Sequence, residues 1–151
     1  MQTLKVGLLG VSLKSHTAII TDSGNEPYLT TTTSQIARAI TSILSHPAET
    51  ANKYLMITSW ITTEKKVLET LERATKSKWG VKHVTSEQRL KEGLELLAKG
   101  NFMGIGNLWN VWCHADGKGH VEEGTLANEM LGLPEEDLEG VVGEIVASDM
   151  N

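Results

Sequence analysis

One cysteine, three prolines and one phenylalanine stand in a chain of 151 residues. The single thiol, Cys113, excludes an internal disulfide and fits a reducing compartment. No run approaches the ~20 consecutive apolar residues of a membrane-spanning helix. Lys5, Lys14 and His16 interrupt the first twenty positions, which therefore lack the long apolar stretch of a secretory leader. A cytoplasmic location with no membrane partner is expected. Positive charge is also short: 14 Lys and Arg face 19 Asp and Glu, for a net charge of −5. The acid excess gathers between Glu122 and Asp149. Nucleic-acid binding needs a positive face against phosphate, so nucleic acid is not an expected partner.

Several chemical signatures are missing too. Val6-Gly7-Leu8-Leu9-Gly10-Val11-Ser12 resembles the start of a dinucleotide-binding turn, but it carries two glycines instead of three. Leu13 to Ile20 then has strand character where that fingerprint requires a helix. A glycine-containing edge strand is the simpler reading. No P-loop and no G-x-S-x-G occur. Cys113, His114, Asp116 and His120 are metal-ligating types, but their spacing fits no standard zinc pattern and no second ligand pair exists. A loop turned by Gly117 and Gly119 is the expected structure there. Cys113 and His114 are adjacent in sequence, which by itself does not make a nucleophile-base pair.

What is present suits a globular α/β chain. Apolar residues make up 40% and charged residues 22%, ordinary values for a folded domain. The length fits one domain or a large piece of one. Leu4 to Leu9 and Thr17 to Thr21 read as two extended runs around a polar break, followed by a turn at Asp22–Pro27. Hydroxyls between Thr30 and Ser34 can cap a helix whose apolar face is Ile36, Ile40, Ile43 and Leu44, ending at His46-Pro47. Tyr54-Leu55-Met56-Ile57 suits a strand buried on both faces. Thr62 and Thr63 open a helix with Val67, Leu68, Leu71 and Ala74 on one side. A short strand around Val81 and Val84 follows. Thr85 and Gln88 form a capping box ahead of Leu90, Leu94 and Leu97, with Gly100 as the stop.

Phe102, Ile105, Trp109 and Trp112 then recur at helical spacing. Such a stripe packs a core or, with Met103, walls an apolar ligand pocket. A short helix is expected over Glu122–Leu131. Another starts at Pro134, with acids in its first turn and Leu138, Val141, Val142 and Ile145 facing inward. Strands and helices mix, with too few alternations for a complete doubly wound sheet.

A resemblance takes the reading further. The run from Asp22 to Ala39, the connection from His46 to Thr58, and Thr62 to Trp79 with its Leu71-Glu72-Arg73-Ala74-Thr75 ending resemble the second half of NmrA-like and isoflavone-reductase-type proteins. So do Thr85-Ser86-Glu87 and the segment from Leu126 to Pro134. The resemblance runs from about Leu4 to Val142. It implies a mixed α/β fragment, the C-terminal part of an NmrA-like Rossmann-type fold, with short strands and about six helices. Residues 1–151 would form a single partial domain without the nucleotide-binding half. The implied function is the substrate-binding half of an NAD(P)-dependent oxidoreductase acting on a small metabolite. A regulatory or protein-interaction module of the same descent, or a small-molecule binding domain, is the alternative.

The resemblance also sets the site expectations. NADPH is expected for the complete family fold and no cofactor for this chain alone. The family's glycine fingerprint and catalytic-lysine region have no counterpart here, so no catalytic, cofactor or metal residue is carried over, and activity of the chain alone is not expected. The candidate substrate-binding residues are Phe102, Met103, Trp109, Trp112 and His114. A small-molecule substrate is one expected partner. A second is a protein, or another copy of the chain, at a sheet edge exposed near Tyr54–Thr58. An isolated chain of this kind is expected to be marginally stable and to self-associate.

Overall fold

The computed structural model describes residues 10–119 and 126–149. Its elements in chain order are β1 (Val11–Ser12), β2 (Thr17–Thr21), β3 (Tyr28–Thr30), α1 (Thr33–Ser45), α2 (Pro47–Thr50), β4 (Trp60–Thr62), α3 (Glu64–Thr75), β5 (Gly80–Val84), α4 (Ser86–Ala98), α5 (Gly104–His114) and α6 (Leu138–Asp149). The architecture is mixed α/β, as the sequence pattern implies. No helix among the described residues is long and apolar enough to cross a membrane.

The strands form two small sheets. One has the order β1-β2-β5 and the other pairs β3 with β4. β1 runs antiparallel to β2, while β2 and β5 run parallel, from Thr17 opposite Gly80 to Thr21 opposite Val84. A short hairpin joins Val11–Ser12 to Thr17–Thr21; the first strand expected for it, Leu4 to Leu9, lies outside the described residues, and Ser12, expected in the turn, is in the observed strand. α3 and α6 close over the first sheet, with Val11, Ala18, Val67, Leu71, Trp79, Leu138, Val142, Ile145 and Val146 buried together. The inward faces expected for α3 and α6 both take part in this core. Burying such side chains yields about 1.5–3 kcal/mol each against leaving them in water, so this is where the fold is anchored.

The capping box opens α4 as expected: Thr85 Oγ1 accepts from Gln88 N at 3.1 Å and Gln88 Oε1 accepts from Thr85 N at 3.2 Å. The helix faces differ from expectation. On α1, Ile36, Ile40 and Leu44 are exposed, and Gln35 and Ala39 are buried instead. The cause is a set of polar anchors invisible to periodicity. Gln35 Nε2 donates to Pro134 O at 2.7 Å and Ser42 Oγ donates to Leu131 O at 2.8 Å. These bonds turn the Gln35–Ala39–Ser42 side toward the 131–134 segment. On α4, likewise, Leu90 and Leu94 are exposed while Arg89 and Gly93 are buried.

Three further expectations are corrected. Tyr54–Ile57 forms no strand ladder; Met56 makes only an isolated bridge to Leu126, and Tyr54 is fully exposed. The Asn128 side chain occupies the place of a strand partner, accepting from Thr58 N at 3.0 Å and donating to Thr58 O at 2.6 Å. The local strand falls at Trp60–Thr62 instead. Next, the described part of the expected Glu122–Leu131 helix consists of that bridge and turns; residues 122–125 lie outside the described residues. Finally, α6 begins at Leu138 and not at Pro134, because Asp137 accepts from Glu139 N at 3.3 Å and from Gly140 N at 2.7 Å as the cap.

Glu136, released from the helix, becomes a junction. Its carboxylate accepts from Thr32 Oγ1 and Ser59 Oγ, each at 2.6 Å, and from Arg38 at 2.7 Å. Burial alone would raise its carboxyl, but the Ser59, Thr32 and Arg38 hydrogen bonds and the Arg38 charge outweigh burial and hold it below the usual carboxylate range. A depressed carboxyl contributes stability above its unfolded value, about 4.3, and loses that contribution as pH falls through the folded value. Glu136→Gln is therefore expected to be less stable than the wild type at pH 7, with the gap closing on acidification below about pH 4. Urea midpoints across pH check this; a gap independent of pH counts against it.

Candidate functional site

The carboxyl end of β2 meets the amino end of α3 in a buried polar cluster. Thr62 and Thr63 lead into α3, so its first residue, Glu64, lands beside Thr21. Thr21 N donates to Glu64 Oε2 at 2.6 Å and Thr21 Oγ1 donates to Glu64 Oε1 at 3.2 Å. Arg89 reaches the same point from α4: its guanidinium donates to Thr21 Oγ1 at 2.9 Å and lies 4.0 Å from Glu64 Oε1. His114, the last residue of α5, places Nδ1 3.1 Å from Glu64 Oε1 without the alignment of a hydrogen bond. Glu64, Arg89 and His114 are 6%, 4% and 1% exposed. Buried charges of this kind persist only when paired. Burial lowers the Arg89 pKa, opposed by the negative charge of Glu64 and Glu92.

Tyr28, the first residue of β3, joins this cluster to the surface. Its ring centre is 4.4 Å from that of His114, tilted by 56°. On its other side it lines a groove of about 380 Å³, together with Leu29, Met56, Trp112, Cys113, Lys118 and Gly119. Burial pushes the Tyr28 phenol up, and the charge of Glu64 and the proximity of Cys113 add to the shift. Burial also raises the Cys113 thiol. Both groups thus hold their protons more tightly than free side chains do.

The loop forming one wall is tied down from below. Glu26 accepts from Gly117 N at 2.8 Å and from Gly119 N at 2.7 Å. Asp116 accepts from Ser23 Oγ at 2.6 Å. A side chain at Gly119 would run into Pro27 O, so the close approach of the two loops requires glycine there.

The expected pocket residues divide. Trp112 lines the groove, and His114 lies behind Tyr28 in the buried cluster. Trp109 stands edge-on to His114 at 6.0 Å, outside the groove lining. Phe102 and Met103 precede the opposite end of α5 and are 78% and 71% exposed. Tyr28, Leu29, Met56, Cys113, Lys118 and Gly119 carry no periodic signal and were not expected to line it. Thr21, Glu64 and Arg89 were missed as well. The position of Glu64 just after a double-threonine cap, and of Arg89 one turn before Gly93, are the only local hints. Among the described residues no group of three His, Cys, Asp or Glu side chains is placed to hold a metal ion.

The amino ends of α3 and α4 do not fit a dinucleotide pyrophosphate. Helix amino ends attract phosphate when their N–H groups are free. Here Glu64 occupies the first turn of α3, and Asp22 Oδ1 accepts from Ser86 N, at 2.7 Å, at the start of α4. Gly10 leads into β1 and not into a helix. A phosphate at either helix end would meet carboxylate.

Fold and site together define a mixed α/β domain with an apolar groove set against a buried ion-pair cluster. The chain is similar to fungal proteins named oxidoreductases. It is 31% identical over 140 residues to the oxidoreductase aprR of Aspergillus flavus, covering 91% of this chain and 47% of that protein. It is 32% identical over 93 residues to the oxidoreductase poxI of Penicillium oxalicum, covering 62% of this chain and 30% of that protein. The chain therefore spans about half the length, or less, of the curated relatives it matches. No protein-family model and no solved structure matches it.

Proposed function

We propose that this chain is the substrate-side portion of an NmrA-like, isoflavone-reductase-type oxidoreductase, with the groove holding a small metabolite. The groove walled by Trp112, Tyr28, Leu29 and Met56 supports this reading, since ligand sites are concave and mainly apolar with a few polar groups. The relation to fungal oxidoreductases supports the redox class. NADPH, the cofactor of this reading, is assigned to the remainder of the whole protein, because hydride transfer needs a cofactor held and oriented by protein and the amino ends of α3 and α4 carry carboxylates.

Titrations on the purified chain test the reading. A flat aromatic probe such as 2-naphthol is expected to quench tryptophan fluorescence saturably. Trp112→Ala is expected to weaken that binding about tenfold, the loss of one aromatic contact and its buried area. Calorimetry with NADPH alone is expected to show no binding. Unsaturable quenching, or quenching unchanged in Trp112→Ala, counts against the groove. A second reading, a protein-interaction module, is favoured by one observation: Ile36, Ile40 and Leu44 form an exposed apolar row on α1, the sort of surface that partners cover.

A further inference from the structure

Resting on the substrate-side reading, the groove's chemistry narrows the class of molecule it takes. Among the described residues its lining contains no acidic side chain. The polar side chains that line it are Tyr28, Cys113 and Lys118, and each can donate a hydrogen bond. The Tyr28 and Cys113 protons are held by burial, as described above. Lys118 brings three donors and a positive charge, and among the described residues no ion pair engages it. Among the described residues, two carboxylates on this loop and under it are already in use: Glu26 is held by the Gly117 and Gly119 amides and Asp116 by Ser23. Trp112, at 71% exposed, stands beside this lysine with its indole largely in water. An exposed indole next to an apolar floor gains most by covering a flat ring.

The geometry points to a flat aromatic ligand carrying a carboxylate or equivalent anionic oxygen, its ring against Trp112 and Tyr28 and its anion on the Lys118 ammonium. A groove whose donors include a cation but no acid discriminates in favour of an acceptor, because a ligand lacking one leaves those donors unmatched. A charge-assisted hydrogen bond is roughly twice as strong as a neutral one. The preference for the anion should therefore be measurable against a ligand of the same shape.

The chain supplies its own reporter. Cys113 is its single cysteine and lines the groove, so a bound ligand slows its alkylation by N-ethylmaleimide. The probes are 2-naphthoate and its uncharged amide, 2-naphthamide. The expected result is saturable protection by both, with naphthoate bound roughly five- to tenfold more tightly, and loss of that preference in Lys118→Gln. Equal protection by the two probes, unchanged in Lys118→Gln, overturns the anionic class while leaving the groove reading intact. A naphthoate preference that survives Lys118→Gln overturns the assignment of Lys118. Protection by neither overturns both the anionic class and the groove reading. Lys118 is exposed, so its replacement leaves the fold in place, and raised salt provides a second readout: it should weaken naphthoate binding and leave naphthamide binding unchanged.

Discussion

Glu64→Ala is expected to destabilise the chain by about 3–5 kcal/mol, a large share of the roughly 5–15 kcal/mol that holds an ordinary domain folded. Glu64 and Arg89 are each about 5% exposed at the side chain. Removing the carboxylate leaves the guanidinium without its countercharge, and a guanidinium does not deprotonate to escape. It also removes the acceptor of both Thr21 N and Thr21 Oγ1, buried donors that water cannot reach. Glu64→Gln keeps an acceptor for Thr21 N and loses the charge, so it should fall between the wild type and Glu64→Ala. Paired removal, Glu64→Met with Arg89→Met, should cost less than the sum of the single changes, because neither charge is then stranded. Urea unfolding followed by far-ultraviolet circular dichroism gives all five values. A loss below about 1 kcal/mol for Glu64→Ala would place these charges in contact with water and remove the basis of the cluster.

The sequence made the helices legible but not which way they face. Thr32, Thr63 and Thr85 each cap a helix in the expected place, since the cap is read from a hydroxyl and a residue three positions on. Faces are chosen by long-range contacts instead. Ile36, Ile40 and Leu44 have perfect helical spacing, yet Gln35 wins the inward position through a hydrogen bond to Pro134, 99 residues away. Arg89 does the same against Leu90 by reaching Thr21 across 68 residues. Periodicity finds an apolar row; it cannot tell whether that row meets the chain's own core or a partner. The strand expected at Tyr54–Ile57 is reduced to one bridge at Met56, and just beyond it the side chain of Asn128, 70 residues away, pairs with the backbone of Thr58.

The site was legible only where a residue type is rare. Trp112 could be singled out because indoles stand out in a chain poor in aromatics. Lys118 and Glu64 could not, because lysine and glutamate are common and their meaning comes from what the fold sets beside them. His114, expected among the pocket residues, lies one layer behind the groove lining, beside Tyr28 and Glu64. Tyr28 is thus in contact with the ion-pair cluster on one side while it lines the groove. The exposed α1 row and the groove lining share no residue, which lets mutation test the two functional readings one at a time.

The packing of α4 on α5 ties stability to the groove and yields the second large effect. Gly93 and Gly104 meet where the helices cross. A Cβ on Gly104 would run into Gly93 O, with Leu97 Cγ at 2.9 Å and Leu96 Cβ at 3.1 Å behind it. Alanine normally gains up to about 1 kcal/mol over glycine inside a helix. At Gly104 the clash is with backbone, which cannot swing aside, so the helices must separate. Gly104→Ala is expected to be net destabilising by about 1–3 kcal/mol. Gly143 in α6 is the control: a Cβ there meets nothing within 4 Å, so Gly143→Ala should stabilise by about 0.4–1 kcal/mol. The two substitutions are chemically identical and should move the urea midpoint in opposite directions. Their effects on ligand should differ as well. α5 carries Trp112, Cys113 and His114 at its far end, so a shift at Gly104 is transmitted along a rigid helix to the groove and should weaken naphthoate protection of Cys113. Gly143→Ala should leave it unchanged. Equal stabilisation by both alanines would mean that α4 and α5 do not cross at their glycines, and the placement of Trp112 against Tyr28 would fall with that contact.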